Sequence, residues 1–417
     1  MIWRIGALTS GWLDCEIPAV PDESQPVPSA QPTHQLREIA GYFLRLGFTA
    51  FGGPAAHIAM MEQELVNRRQ WLDRRHFLDL LAAISFIPGP NSTEMAIALG
   101  RIRGGMRGLW VAGFCFILPA VLIILPIAWI YVAYHQTPSV SGAMRGISAA
   151  VVAIVAAAVW RFGKTSITDI GGLLIALAAM LAEIILQHTG FAFGDVLILL
   201  AAGFARAFIH RRPVVVPGFA PMLAVIGGLV SVSGPLLMVL LFLKIGLTLF
   251  GSGYVLVTYL QDSFVNGQHW LTQQQMMDAI AVGQVTPGPL LTTATFAGFV
   301  VGHDQFHLGL TGSILCALAA TAAIFAPAFV LIALLGSTMD RLRQNPHARG
   351  FLDGMNAAVV GLIAVACIWI ARAALNSPHP FASAAIITIS LIILFQTKLN
   401  PTWLIAAAGI CGWVILR

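Results

Sequence analysis

Residues 44–93 read LRLGFTAFGGPAAHIAMMEQELVNRRQWLDRRHFLDLLAAISFIPGPNST, and residues 243–292 read LKIGLTLFGSGYVLVTYLQDSFVNGQHWLTQQQMMDAIAVGQVTPGPLLT. Compared without gaps at an offset of 199, the two stretches agree at 15 of 50 positions, where apolar composition alone gives roughly 4 or 5. The agreements include Gly47/Gly246, Thr49/Thr248, Phe51/Phe250, Gly52/Gly251, Trp71/Trp270 and Asp79/Asp278. They end on Pro88-Gly89-Pro90 against Pro287-Gly288-Pro289, then Thr93 against Thr292. After a nine-residue slip the match resumes, with Pro119-Ala120 on Pro327-Ala328, Gly146 on Gly354 and Ala149-Ala150-Val151-Val152 on Ala357-Ala358-Val359-Val360. The chain is therefore read as a duplication: a polar tail over 1–36, a first repeat over 37–213, a connecting segment over 214–234 and a second repeat over 235–417.

Working outward, the composition says what the repeats are made of. Of 417 residues, 58% are apolar and 10% charged, and the mean hydropathy is +0.83. A soluble domain carries about 25% charged residues, so this chain cannot cover itself with a water-facing surface. Lipid tolerates no unpaired backbone, which leaves helices or closed barrels. The apolar runs are about 20 residues long, a helical span rather than a barrel strand. They fall near 37–60, 77–99, 109–134, 146–162, 168–187 and 192–209, then near 235–259, 277–300, 309–335, 354–371, 381–396 and 400–416. The fold class expected is an all-α integral membrane protein. Residues 1–36 are Pro-rich and polar and read as a disordered tail, without the basic and apolar regions of a signal peptide. Cys115, Cys316, Cys367 and Cys411 lie in apolar runs without CxxC spacing and read as buried free thiols. No basic run with interleaved aromatics suggests nucleic-acid binding.

Loop charges give orientation. The loop after the first Pro-Gly-Pro carries Arg101, Arg103 and Arg107, and its counterpart at 303–307 has no Lys or Arg. The next loop of the second half carries Arg341, Arg343 and Arg349, against Arg145 alone over 135–145. Basic loops stay in the cytoplasm, so the halves alternate in opposite phase, as an inverted-topology repeat does. The loop 62–76, with Arg68, Arg69, Arg74 and Arg75, flanks the same Pro-Gly-Pro segment as 101–107. Both loops lie inside if that segment is a re-entrant hairpin, the reading we favour. Re-entrance gives about 10 crossings and full spanning up to 13.

Broken helices carry the candidate site. Gly52-Gly53-Pro54 is matched by a Gly251-Ser252-Gly253 break, and the two Pro-Gly-Pro triplets match each other. Such breaks are tolerated only where protein or a watery cavity surrounds them. They expose half-helix N-termini that attract anions. The substrate-binding candidates are Gly52, Gly53, Pro54, Pro88, Gly89, Pro90, Asn91, Ser92 and Thr93 in the first half. Gly251, Pro287, Gly288, Pro289, Thr292 and Thr293 are their second-half counterparts. Arg45 and Lys244 occupy equivalent positions and would supply positive potential to one anion. Glu94 is the proton-coupling candidate. Asp79 and Asp278 read as helix caps or dipole partners, and Trp71 and Trp270 as interfacial anchors. Glu183 is a lone carboxylate without an assigned role. His303 and His307 do not make a metal site, and no catalytic motif occurs.

Phe51-Gly52-Gly53-Pro54 with His57-Ile58, Met61, Glu64, Trp71, Pro88-Gly89-Pro90, Gly100, Gly105, Gly108 and Pro119, completed by Pro287-Gly288-Pro289, resembles the chromate ion transporter (CHR) family, long-chain type. The resemblance covers about 37–417. It implies two homologous halves of opposite orientation in the cell (inner) membrane, and export of chromate, or handling of a sulfate-like anion, driven by protons. It implies no cofactor, metal or enzyme activity. The expected partners are that anion, the bilayer and, in a homodimer, a second copy of the chain. An anion channel or facilitator is the alternative. The sequence departs from the pattern in two places. The second half has Gly-Ser-Gly for Gly-Gly-Pro, and Glu94 stands where better-known resistance members carry an amide.

Overall fold

The computed structural model describes residues 32–51, 53–85, 87–134, 137–186, 194–209, 233–250, 253–335, 346–397 and 399–416. The expected tail lies outside these residues over 1–31, as does the connecting segment over 214–232, while residues 32–36 form the first turn of a helix. All regular structure among the described residues is helical. Four helices are long and apolar enough to cross a membrane, namely Asn91–Tyr134, Val140–Ser166, Gly309–Leu334 and Gly350–Leu375, and four shorter apolar helices accompany them. The molecule is a multi-pass α-helical membrane protein.

The first half opens with α1 (Pro32–Thr49). A break at 50–53 leads to α2 (Pro54–Met61), which runs into a π-helical turn, Glu62–Arg68. Next come α3 (Arg74–Ile84) and α4 (Asn91–Tyr134). Helix α4 is interrupted at Gly104 and Gly105, the latter at φ 59° and ψ −149°, a conformation essentially open to glycine alone. The segments before and after this point fold back on each other: Gly100 lies against Gly108 and Ala112, and Gly113 against Ile97. Helices α5 (Pro138–Ser166), α6 (Ile170–Leu186) and α7 (Gly194–Ile209) complete the half.

The second half repeats this order with α8 (Gly234–Thr248), α9 (Val255–Leu260), a π turn at Gln261–Gly267, α10 (Gln273–Val285), a 3₁₀ turn at Leu290–Thr292, and α11 (Thr293–Asp304). Helices α12 (Gly309–Leu335), α13 (Pro346–Leu375), α14 (Pro380–Gln396) and α15 (Pro401–Ile415) follow. The two π turns fall 199 residues apart, as do two non-glycine residues at positive φ, Gln70 and His269.

Polar contacts fix where the chain reverses. Glu38, near the start of α1, accepts from Trp71 Nε1 at 3.0 Å and from Arg103 Nη2 at 3.0 Å, and it pairs with Arg69 at 3.4 Å. Both ends of the Pro-Gly-Pro segment therefore sit at the same end of the molecule. So do both ends of the α1–α2 segment, across which Tyr42 OH also donates to the Met60 carbonyl at 3.4 Å. Each segment enters and returns. The 37–60 run is thus two antiparallel arms rather than one continuous helix. Arg101 at the same end donates to the Ile332 carbonyl and, at 3.0 Å, to that of Ala333. This ties the basic 101–107 turn to the end of α12. At the far end of α4, about 40 Å along its second arm, Tyr131 OH donates to Asp278 at 2.7 Å. Gln274 there bonds Ser148 at 2.8 Å, and Gln275 bonds Asp304 at 2.7 Å.

Behind the hairpins the halves exchange partners. Helix α5 packs on α14 and α15, α13 packs on α6 and α7, and α5 and α13 pack on each other. Glycines let the backbones approach: Gly146 faces the Ala408 carbonyl and Gly412, and Gly354 faces the Ala202 carbonyl. Cys115 and Cys367 are half-buried and Cys316 is buried, but Cys411 is exposed. It lies on the outer face of α15, so the buried-thiol expectation fails there. Nor does Asp278 cap α10. The caps are Asp73 on α3 and Thr272 on α10, while Asp278 is buried and accepts from Tyr131 and Gln274.

Replacing Gly146 or Gly354 with Leu inserts a side chain where a neighbouring carbonyl already sits. Overpacking typically costs about 1–3 kcal/mol. Each variant is expected to melt lower than wild type in detergent, and Gly163→Ala, which meets only a Val360 methyl at 3.6 Å, is the tolerated control.

Candidate functional site

The four helix breaks meet. Gly89 N–H, in the first Pro-Gly-Pro, donates at 2.6 Å to the carbonyl of Leu249, where α8 ends. Gly288 N–H, in the second, donates at 3.0 Å to the carbonyl of Ala50, where α1 ends. Leu249 is the counterpart of Ala50 at the 199 offset, so the contact is reciprocal. Both glycines hold positive φ, 139° at Gly89 and 101° at Gly288. Any side chain would be strained there, and Gly288 also packs against Ala120 Cβ, which an added Cβ would meet at 3.1 Å. His57, buried on α2, reaches back with Nε2 3.1 Å from the Ala50 carbonyl and stands edge-on to Phe116 at 5.6 Å. The other His57 nitrogen, Nδ1, has no partner among the described residues. Gly53 precedes α2 at φ 80°, and Pro54 starts that helix without a side-chain cap. Gly52 and Gly251 lie outside the described residues.

The polar groups at the two tips differ in state. In the second half Thr292 Oγ1 donates to the Pro289 carbonyl at 2.7 Å and Thr293 Oγ1 to the Leu290 carbonyl at 2.8 Å. Both hydroxyls serve the local backbone. In the first half, Ser92, Thr93 and Glu94 are fully buried in the opening turn of α4, and neither hydroxyl nor either carboxyl oxygen of Glu94 has a partner among the described residues. Glu94 Oε1 lies directly against Gly89, where a Cβ would have to go. Asn91 begins the helix, half-buried, after Pro88 and Pro90, both buried. Buried polar atoms are normally hydrogen-bonded, so this cluster of free acceptors and hydroxyls at a helix N-terminus is the least satisfied part of the site.

Arg45 and Lys244 do not share it. Lys244 is 2% exposed and pairs with Asp195 of α7 at 3.2 and 3.4 Å, with Tyr259 beneath it at 5.6 Å. Arg45 is exposed on α1. The equivalence of their positions is real in sequence, but α7 covers only one of them.

The same asymmetry runs through the hairpins. Helix α10 packs against α5, α13 and α15, whereas α3 packs mainly on α4 and the adjoining π turn. Leu78 is 48% exposed and its counterpart Met277 1%; Phe51 is 38% exposed and Phe250 8%.

Sequence reading passed over His57 as a site residue, although the Phe-Gly-Gly-Pro-x-x-His spacing sets it one helical turn past the break. It also passed over Asp195 and Asp262, which sit in separate elements and meet Lys244 and Glu183 only in three dimensions.

Ser92→Ala and Thr93→Val remove no hydrogen bond of the fold and are expected to leave the melting temperature unchanged or slightly raised. Thr292→Val removes a buried bond and is expected to cost about 1 kcal/mol. Thermal unfolding of the three variants checks the contrast.

The chain is similar in sequence to known proteins. The sequence profile of the chromate transporter family matches twice, over residues 37–231 and 236–413. A chromate transport protein of Pseudomonas aeruginosa is 32% identical over 417 residues, covering 94% of each chain. One from Cupriavidus metallidurans is 31% identical over 392 residues, 92% of this chain and 94% of its own. A probable chromate transport protein of Synechococcus elongatus is 27% identical over 390 residues, 92% and 97%. No solved structure matches.

Proposed function

This chain belongs to the chromate transporter family, and we propose that it is a proton-coupled secondary transporter that exports a tetrahedral dianion, chromate foremost and sulfate by the same chemistry, across the inner membrane. The observation that carries the reading is the buried, unsatisfied Ser92-Thr93-Glu94 turn at the joined helix tips. A tetrahedral oxyanion presents acceptors in every direction. The start of α4 offers free N–H groups, a partial positive charge and two free hydroxyls, and the Pro287-Gly288-Pro289 tip brings the start of α11 alongside.

Glu94 gives the coupling. An ionised carboxylate and a dianion repel strongly in so dry a place. The anion therefore occupies the site when Glu94 carries a proton, so the two leave together as one net negative charge that an inside-negative membrane potential drives outward, and Glu94 releases the proton once the anion has gone. The pairing of Lys244 with Asp195 and the outward position of Arg45 agree with a site built on dipoles.

Two features support an inverted repeat. Reciprocal bonds between equivalent residues are what a two-fold axis generates. The Trp71 loop neighbours the Arg103–Gly105 turn of α4 and the segment after Trp270 the far end of its second arm, at Tyr131, which favours an axis in the membrane plane. The basic 101–107 turn joined to the end of α12 then marks the cytoplasmic end. The asymmetric packing of α3 and α10 fits one of two alternating states.

Flux of labelled chromate and sulfate into everted vesicles, under pH gradients of both signs, tests the reading. Wild type is expected to accumulate chromate only under a gradient of one sign, and Glu94→Gln to lose that dependence. Gradient-independent flux in wild type means a channel. An unchanged pH response in Glu94→Gln removes Glu94 from the coupling.

A further inference from the structure

A second set of ionisable groups lies apart from the helix tips. Glu183 near the end of α6, Asp195 at the start of α7, Lys244 on α8 and Asp262 on the second π turn come together. The first three are 1%, 3% and 2% exposed. Lys244 pairs with Asp195, and the carboxyl groups of Asp262 and Glu183 hydrogen-bond each other. Tyr259 also faces the group, its OH engaged by the Thr248 carbonyl at 2.9 Å. One ammonium therefore stands among three carboxyl groups.

Two carboxylates cannot hydrogen-bond without a proton between them, and a buried net charge of −2 is heavily penalised. A second observation concerns the strand of chain that carries Asp262. Its Oδ1 is buried and unpartnered among the described residues. So are Oε1 of Gln261 (3% exposed), Oγ of Ser263 (4% exposed) and Oγ1 of Thr258 one turn earlier. Four polar atoms are thus left without a partner along one turn and a half. The turn is π-helical, a local geometry that is frequent at functional sites. The first half lacks the chemistry, since the counterparts of Asp262 and Lys244 are Gln63 and Arg45, both exposed.

We propose that Glu183 and Asp262 form a proton-binding site, flanked by the Lys244–Asp195 pair and confined to one half of the molecule. In the resting state one proton is shared between the two carboxyl oxygens. On release the O–H bond breaks, the proton passes to water, and the pair is left as two carboxylates beside Lys244. As Asp262 stands eight residues before Trp270, the site lies toward the end of the molecule opposite the Glu38–Arg103 cluster. The role in transport rests on the proposed function, with this pair exchanging protons with the side opposite the basic loops while Glu94 answers to the anion. The proton itself does not rest on that reading.

Infrared difference spectra of the full chain in lipid vesicles at neutral pH test the site directly. Wild type is expected to show a protonated-carboxyl C=O band that is lost in both Asp262→Asn and Glu183→Gln, because each substitution lets an amide N–H replace the shared proton. The band component is expected to persist in Glu94→Gln. Each isosteric variant is checked for a wild-type melting profile, and if one fails to fold the other, compared with Glu94→Gln, carries the test. Absence of any such band in wild type, or spectra identical among folded variants, overturns the proposal. With a pH dye inside the vesicles, chromate addition is expected to move protons in wild type and not in Asp262→Asn. Proton movement at the wild-type ratio in that variant overturns the coupling role. A wild type that carries no chromate instead defeats the functional reading and leaves the infrared result to judge the site.

Discussion

Unwound backbone inside an apolar helical bundle is the constraint from which the rest of this structure follows. Each half breaks its first helix near residue 50 or 249 and its second near residue 88 or 287, and every break frees donors and acceptors that lipid cannot satisfy. The solution is reciprocal: the N–H of Gly89 closes on the carbonyl of Leu249, and that of Gly288 on the carbonyl of Ala50. Neither half can make its own tips satisfactory. The glycines are needed because the donor must turn toward the other half at a φ that a side chain resists, and because Ala120 and the Gly47 carbonyl already fill the space beside Gly288. The exchange of α5 onto α14–α15 and of α13 onto α6–α7 is the same reciprocity, carried by packing instead of hydrogen bonds.

Much of this was legible in the sequence because a duplicated break leaves a duplicated signature. Pro and Gly are few-valued in what they do to a helix, so matching triplets at one offset predict matching breaks, and the structure adds matching π turns and matching positive-φ residues at the same offset. What stayed hidden is what depends on distance along the chain. The run 37–60 reads as one span because both arms are apolar, and only Glu38 reaching Arg69, Trp71 and Arg103 reveals that the chain turns back. Lys244 reads as a bare cation because Asp195 lies 49 residues away in another helix. Glu183 had no role because its partner, Asp262, belongs to the opposite half.

Symmetry in sequence is also not symmetry of environment. Leu78 and Met277 are counterparts, yet one is half exposed and the other buried, and Arg45 lies open where Lys244 is sealed under α7. A duplicated chain whose halves were energetically identical would have no reason to pack its two hairpins differently. Here α10 is docked between α5, α13 and α15 while α3 is not. Two equivalent elements in unequal settings are what an exchange between settings requires: the free hairpin has a docking geometry already realised by its counterpart.

The same asymmetry separates the proposed anion and proton sites. The turn at Ser92–Glu94 lacks a counter-charge and is rich in unsatisfied groups, so a bound dianion there would be held by N–H dipoles and hydroxyls, each contributing on the order of 1–3 kcal/mol when charge-assisted. Several such contacts can offset part of a dianion's lost hydration without making a trap. Lys244 is instead neutralised by Asp195, and its remaining influence falls on the Glu183–Asp262 pair next to it. Lys244, buried in the core, thus stabilises carboxylates rather than the cargo. That division of labour explains how an anion carrier can place positive charge in the membrane core and still release what it carries.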